Sequence, residues 1–192
     1  MPEVRSVTLG AWVGAGSRDE QPELSGATHF LEHLLFKGTQ SRSAKDIAEA
    51  FDAVGGDVNA FTAKEYTCFY ARTLDVDLPM SIETIADMLQ HSLLKDEDIT
   101  AERQVVLEEI SMHEDAPDDI VHDLFMEAIW GEHPLGRRVQ GRSDTIEAMA
   151  RDEIHAYWRL HYKPGNLVIA AAGSLEHADV VEMVSKAFRD AP

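Results

Sequence analysis

The sequence predicts an α+β domain, with a mostly antiparallel sheet and helices packed on it. The chain has 192 residues, of which 44% are hydrophobic, and this length and composition suit one domain with a buried core. Short strand patterns and longer helical patterns alternate along the chain, and no internal repeat, low-complexity tract or linker divides it. We therefore expect one domain over residues 1–192.

Four short segments have the apolar pattern of strands. The first carries Val7, Leu9 and Val13 and is broken by Gly14 and Gly16. The second and third are close neighbours joined by residues 63–66, and the fourth is a continuous apolar run. The predicted strands are 4–13, 58–62, 67–73 and 167–172.

Seven segments carry apolar residues at helical spacing. Ser43 and Asp46 have the spacing of a variant capping box that opens one helix, and Pro79 suits the first turn of the next. A long acidic helix follows, and residues 134–142 are expected to form a loop. The predicted helices are 28–36, 43–54, 79–89, 98–112, 117–130, 151–162 and 178–188.

The charge balance excludes several classes of function. The chain carries 17 Lys+Arg against 35 Asp+Glu, a formal net charge of −18, whereas nucleic acid and anionic membranes attract basic surfaces. No run approaches 18 apolar residues, and residues 1–5 lack the pattern of a secretory signal. The single cysteine, Cys68, permits no intrachain disulfide. We expect a cytoplasmic protein that binds neither nucleic acid nor membrane.

Residues 29–33 form the sequence H-x-x-E-H within the predicted helix 28–36. Positions i and i+4 of a helix share a face, so the imidazoles of His29 and His33 can reach one ion. Glu32 precedes His33 by one residue and lies beside the same ion position. Two nitrogen ligands and a neighbouring carboxylate supply what a hydrolytic zinc site needs, namely ligands and a base. The motif therefore indicates a zinc site, in the inverted order of H-E-x-x-H.

The alternative is that both histidines are structural side chains packed on a helix. The apolar residues at positions 30, 31, 34 and 35 place this helix in the core. Burying two histidines and a glutamate side by side is costly unless a partner satisfies them. This context favours the metal site.

A catalytic zinc usually takes three protein ligands and leaves a fourth position to water. The candidates for the third ligand are Glu102, Glu108 and Glu109 on the long acidic helix. Glu102 and Glu109 are about two turns apart on one face, whereas Glu108 points about 100° away. Such acidic faces are usually solvated. In a projection down the helix axis, however, the apolar Val105 and Val106 lie between Glu102 and Glu109. We therefore expect this face to point inward.

An ordered series of short motifs runs through nearly the whole chain. On these motifs the chain resembles the N-terminal half of the inverzincin zinc metallopeptidases, the pitrilysin and mitochondrial-processing-peptidase group (peptidase family M16). The resemblance implies a single half-subunit domain of that metallohydrolase fold. The motifs lie at residues 14–20, 29–39, 55–56, 59–62, 102–103, 133–136 and 162–166.

The resemblance also implies roles for particular residues. It implies that one zinc ion is bound by His29, His33 and Glu109, with Glu32 as the general base. It implies a supporting acidic position in the catalytic site at Glu102. The residues implied to bind the substrate backbone, as an edge strand, are Asn59, Ala60, Phe61 and Thr62.

Members of this family pair such a half with a similar C-terminal half that closes over the substrate. Because the sequence ends at Pro192, we expect residues 1–192 to be the N-terminal catalytic, zinc-binding domain and the C-terminal half to be absent. The expected partners are a peptide or protein substrate and a complementary C-terminal half-domain or partner subunit. A homo-oligomer is a further alternative.

Two functions are compatible with this resemblance. The first is a zinc-dependent endopeptidase domain, which hydrolyses peptide bonds by a metal-activated water with a glutamate base. The alternative is a non-catalytic partner subunit that keeps the fold and scaffolds a complex. Such partners typically lose ligands, whereas His29, Glu32, His33 and Glu109 are all present here, so the sequence favours the enzyme.

Overall fold

The structure is a computed structural model that describes Met1 and residues 3–189. A four-stranded sheet lies at its base. Pro2 and residues 190–192, and with them the expected domain end at Pro192, lie outside the described residues. The strand order is β2-β3-β1-β4, and every neighbouring pair is antiparallel. This confirms the predicted α+β class with a mostly antiparallel sheet. The strands are β1 (Ser6–Val13), β2 (Asp57–Thr62), β3 (Thr67–Leu74) and β4 (Leu167–Gly173).

The described residues also form eight α-helices. Seven correspond to the predicted helices, with ends that differ by a few residues. None of the eight is long and apolar enough to cross a membrane. The helices are α1 (Ala27–Leu35), α2 (Ala44–Asp52), α3 (Leu78–His91), α4 (Asp96–Glu114), α5 (Pro117–Trp130), α6 (Ser143–Ala148), α7 (Arg151–His161) and α8 (His177–Ala187).

The helix ends follow local chemistry. The capping box of α2 is formed, since the Asp46 amide donates to the Ser43 hydroxyl (3.2 Å) and Asp46 Oδ2 accepts from the Ser43 amide (2.8 Å). Helix α4 starts two residues earlier than predicted, because the acidic residues 96–98 lie in its first turn and complement the helix dipole. Helix α6 was not predicted, since six residues are too few to show a helical period.

The inner face of the sheet, which we define as the face covered by helices, carries the core. Alternate residues of β1 point to this face and are buried, among them Val7, Leu9 and Val13. Helix α1 lies in the same core with five buried apolar side chains on its nine residues. These are Ala27, Phe30, Leu31, Leu34 and Leu35. The helix that carries the H-x-x-E-H motif is therefore a central core helix.

The opposite face of the sheet, which we call the outer face, is apolar and open. Trp12, Phe61, Tyr66 and Tyr70 form an aromatic cluster there, with ring centroids 5.2–6.2 Å apart. Beside it lies a shallow groove of about 380 Å³ over the small residues of the central strands. Val168, which pairs with Trp12 across the sheet, is 65% exposed. A contiguous apolar surface of this kind marks an interaction site.

Candidate metal centre

The position of the motif helix is fixed at its first turn. Glu20 is buried, and its carboxylate accepts hydrogen bonds from the amides of Gly26 and Thr28, both at 2.8 Å. Gly26 has a φ of +92°, and a Cβ there would lie 2.6 Å from the carbonyl oxygen of Gln140, so only glycine fits. These contacts set the direction in which α1 enters the core.

Helices α1 and α4 bring three potential ligands together. One Oε atom of Glu109 lies 3.8 Å from His29 Nε2 and 3.5 Å from His33 Nε2. One ligand atom from each of the three residues lies within 4.8 Å of the other two. The i, i+4 spacing of the histidines places both rings on the side of α1 that faces α4.

The electrostatics of this triad suit a cation. Burial, with a smaller contribution from His33, lowers the pKa of His29 to about 4, so this imidazole is neutral at neutral pH. The contact between His29 and Glu109 is therefore not an ion pair. Within the described residues His29 Nδ1 is buried without a hydrogen-bond partner. Neutral imidazole nitrogens and a carboxylate are the donors that zinc takes.

A second carboxylate lies behind His33. Glu102 Oε2 is 3.2 Å from His33 Nδ1, on the side of the ring away from Glu109. The other Glu102 oxygen, Oε1, is 2.5 Å from Lys37 Nζ. Glu102 thus contacts His33 Nδ1 and Glu109 contacts His33 Nε2, so the two glutamates that helical geometry had left open as third ligands lie on different sides of the ring.

The carboxylate of Glu32 contacts the sheet. The Thr62 hydroxyl of β2 donates to Glu32 Oε2 at 2.5 Å. Burial raises the pKa of Glu32, and the hydrogen bond from Thr62 partly opposes that rise. A carboxylate in this position can exchange a proton with a group held between it and the histidines.

The face of α4 that carries Glu102 and Glu109 is narrower than expected. Glu102 and Val106 are buried, and Glu108 is exposed. The expectation that Val105 also points inward is wrong, since this residue is 43% exposed. Val105 and Val106 are consecutive and so lie about 100° apart around the helix, and only one of them can share the direction of Glu102.

The edge strand β2 forms one wall of a cleft of about 410 Å³ beside the triad. Successive residues of a strand point to opposite faces, so Ala60 and Thr62 point toward the helices while Asn59 and Phe61 point to the outer face. The Asn59 side-chain oxygen accepts from the Ala60 amide at 2.8 Å. The four predicted substrate residues thus share a strand, and Ala60, Phe61 and Thr62 line the cleft.

The cleft also contains a histidine and a carboxylate that the sequence analysis did not single out. His113 of α4 and Asp123 of α5 line the wall across from β2, and His113 Nε2 lies 2.8 Å from Asp123 Oδ2. His113 follows Glu109 by one helical turn, and this spacing was the available signal. Nothing in the sequence indicates the contact with Asp123, because it depends on how α5 packs on α4.

Comparison with solved structures defines the class of fold. A protease from Helicobacter pylori superposes with a TM-score of 0.94 at 28% identity, covering 97% of this chain and 46% of that one. Pitrilysin superposes with a TM-score of 0.88 at 22% identity, covering all of this chain and 21% of that one, a likeness of fold alone. The fold is that of a half-subunit of these peptidases.

The family follows from sequence comparison. The family described as "Insulinase (Peptidase family M16)" matches residues 1–143, and "Peptidase M16 inactive domain" matches residues 148–192. A protein of Streptomyces coelicolor named an uncharacterized zinc protease is 57% identical over 188 residues, 98% of this chain and 41% of the relative. A Bacillus subtilis protein similarly named is 47% identical over 182 residues, 95% of this chain and 44% of the relative. The chain belongs to peptidase family M16 and spans less than half the length of these relatives.

The buried carboxylate of Glu20 generates a prediction about pH. Burial raises the pKa of Glu20 from 4.5 to about 7, so the folded state favours the protonated form. The stability that Glu20 contributes is therefore greatest at low pH and is lost as the pH rises from 4.5 to about 7. We expect the unfolding free energy of the metal-free chain, minus that of Glu20→Gln, to fall by up to about 3 kcal/mol over this interval. Urea titrations at several pH values measure it.

The control for this experiment is Glu23→Gln, which removes an exposed carboxylate from the same segment. A difference between the wild type and Glu20→Gln that rises with pH would contradict the prediction. It would show that the amides of Gly26 and Thr28 stabilise the ionised carboxylate by more than burial destabilises it.

Proposed function

We propose that this chain is the catalytic, zinc-binding N-terminal half of a metalloendopeptidase. The convergence of His29, His33 and Glu109 beside the partly buried carboxylate of Glu32 is the observation that carries this proposal. Membership of peptidase family M16 and the names of the relatives as zinc proteases support it. The site has one set of three ligands among the described residues, which suits one zinc ion.

The roles of the site residues follow from their positions. His29, His33 and Glu109 would hold the zinc, and Glu102 would orient His33 through Nδ1. A bound zinc supplies Lewis-acid activation of a water and of the scissile carbonyl. Glu32 would accept the proton of that water and return it to the leaving amine. The raised pKa of Glu32 brings it closer to the operating pH, where a proton acceptor that must also donate is most effective.

The substrate would bind as an added strand along the free edge of β2. Main-chain hydrogen bonds of such a strand are largely independent of sequence, which suits an endopeptidase. The added strand would replace the Asn59 side-chain oxygen as the hydrogen-bond acceptor of the Ala60 amide. Its residues that point toward the helices would enter the cleft between Thr62 and the wall that carries His113.

The scaffold alternative is disfavoured by the complete ligand set. A non-catalytic subunit has no need to keep two histidines and a glutamate converging in a partly buried site, where unpaired polar groups destabilise the fold. The same histidines as merely structural side chains would be expected to have hydrogen-bond partners, yet His29 Nδ1 has none among the described residues.

The complementary half would cover the open outer face. This surface holds the aromatic cluster around Trp12 and the exposed Val168, and the chain spans only 41–46% of its curated relatives. A C-terminal half-domain or partner subunit would bury this apolar area and close the cleft against water. In its absence the same surface would favour a homo-oligomer.

The first prediction concerns the metal. His33→Ala removes the imidazole whose Nε2 contacts Glu109 and whose Nδ1 contacts Glu102, so we expect the purified chain to lose stoichiometric zinc. Elemental analysis after dialysis measures it. His122→Ala, at an exposed position of α5, is the matched control and should keep one zinc per chain. Undiminished zinc in His33→Ala would contradict the ligand assignment.

The second prediction separates the base from the ligands. Glu32→Gln keeps the shape of the side chain but cannot accept a proton, so we expect zinc content to be unchanged and turnover of a peptide substrate to fall by roughly 10²-fold or more. Activity is measured on the chain combined with its complementary half, with Glu83→Gln on the exposed side of α3 as control. If zinc content falls in step with activity, Glu32 is a ligand.

The third prediction concerns the complementary half. A cleft open to water loses orientation and low dielectric, so we expect the isolated chain to bind zinc and to cleave peptides poorly. Adding the C-terminal half of a relative should restore cleavage. Val168→Asp on the outer face should prevent this restoration, whereas Val76→Asp, at a position equally exposed (67%), should not. Full activity of the isolated chain, unchanged by the added half, would show that one half suffices.

A further inference from the structure

We propose that Lys37 is a positioning residue of the zinc site, which acts on His33 through Glu102. The inference rests on the proposed function, because it assumes that His33 is a zinc ligand. It concerns a side chain that contacts neither the ligand triad nor the cleft, and that follows α1 by two residues.

A continuous line of polar contacts connects Lys37 to the triad. Lys37 Nζ is 2.5 Å from Glu102 Oε1, Glu102 Oε2 is 3.2 Å from His33 Nδ1, and His33 Nε2 is 3.5 Å from Glu109. The Lys37 amide donates to the Leu34 carbonyl at 3.1 Å, so the chain keeps its helical course beyond α1. Lys37 follows His33 by four residues and therefore lies on the same face.

The burial of Glu102 explains why a cation is needed at this position. The Glu102 side chain is only 9% exposed, and an ionised carboxylate without a partner is strongly unfavourable in such a place. His33 alone does not neutralise it, since the metal-binding imidazole of a zinc site is neutral. Lys37 is the cation in contact with Glu102 among the described residues, and its own side chain is 35% exposed, so its charge remains partly hydrated.

The ion pair also decides which way Glu102 points. With Oε1 held by Lys37, the remaining oxygen is directed at His33 Nδ1 and fixes the proton of the imidazole on that nitrogen. Nε2 is then free of a proton and directed at Glu109, which is the form that ligates a metal. Without Lys37 nothing holds Oε1, and the Glu102 carboxylate would turn toward water.

A purely structural role for Lys37 would have a different signature. A cation just past the end of α1 stabilises the helix slightly by interacting with its dipole. The loss of this effect would lower the melting temperature without changing the affinity for zinc in the folded chain. The two roles are therefore distinguished by the affinity and by its dependence on Glu102.

The test compares Lys37→Met and Lys37→Arg with the control Lys45→Met. Lys45 belongs to an exposed ion pair with Glu49 on α2. The zinc affinity of each chain is measured by competition with a chromophoric chelator. We expect Lys37→Met to weaken zinc binding by roughly 10-fold, the lower end of losses at residues that orient metal ligands. Lys37→Arg should restore most of it, and Lys45→Met should have no effect.

A double-mutant cycle with Glu102→Gln shows whether Lys37 acts through Glu102. In the Glu102→Gln background the loss caused by Lys37→Met should largely disappear, since the carboxylate is gone. The ¹⁵N shifts of His33 in the metal-free chain supply a second readout, because Lys37→Met should change the protonated nitrogen from Nδ1 to a mixture. If Lys37→Met does not fold, Lys37→Gln replaces it, which keeps a hydrogen-bond donor without the charge.

The outcomes separate this inference from the function. Zinc affinity of Lys37→Met within two-fold of wild type, or losses that add independently in the cycle, would overturn the role of Lys37 while leaving the zinc site intact. A wild-type chain that binds no zinc, or a His33→Ala chain that binds it normally, would overturn the proposed function and this inference with it.

Discussion

Helix α1 has to meet two opposed requirements, and the rest of the structure depends on how they are reconciled. It fills the centre of the core with Phe30, Leu31, Leu34 and Leu35, and on the same nine residues it carries His29, Glu32 and His33. The polar side chains are therefore directed to neighbouring elements. Glu32 meets β2, the histidines meet α4, and the buried helix start meets Glu20. The ligand geometry follows from packing, since a core helix cannot move without disturbing its apolar contacts.

The parts that could be predicted from the sequence are those with a fixed spacing. The strands, seven of the helices and the alignment of His29 with His33 follow from periods of two and 3.6 residues. The proposed third ligand is different. Helical geometry places Glu102 and Glu109 on one side of α4, but it cannot say which of them reaches His33 Nε2. That choice depends on the crossing of α1 and α4, and the resemblance to the family, rather than periodicity, pointed to Glu109.

The remaining features could not be predicted because they depend on tertiary packing or on irregular segments and carry no motif. The hydrogen bond from Thr62 to Glu32 spans 30 residues and depends on β2 lying at the edge next to α1. The contact of His113 with Asp123 depends on the packing of α5 on α4. The hydrogen bond between the Glu20 carboxylate and the Gly26 amide depends on an irregular segment that folds back over the start of α1. Val105 is the opposite case, since the helical pattern predicted that this apolar residue points inward, and it is exposed.

The side chain of Asn59 has a consequence for what may pair with β2. The free edge of a sheet is a template for any extended chain, including the same strand of another molecule, and proteins restrain such edges to avoid aggregation. Asn59 occupies the Ala60 amide within its own chain, and the exposed Asp57 opens the same strand. One amide of the free edge is thus satisfied within its own chain, and a second copy would bring its own Asp57 near this strand. Both features make β2 a poorer template for permanent pairing with a second copy, which would block the cleft.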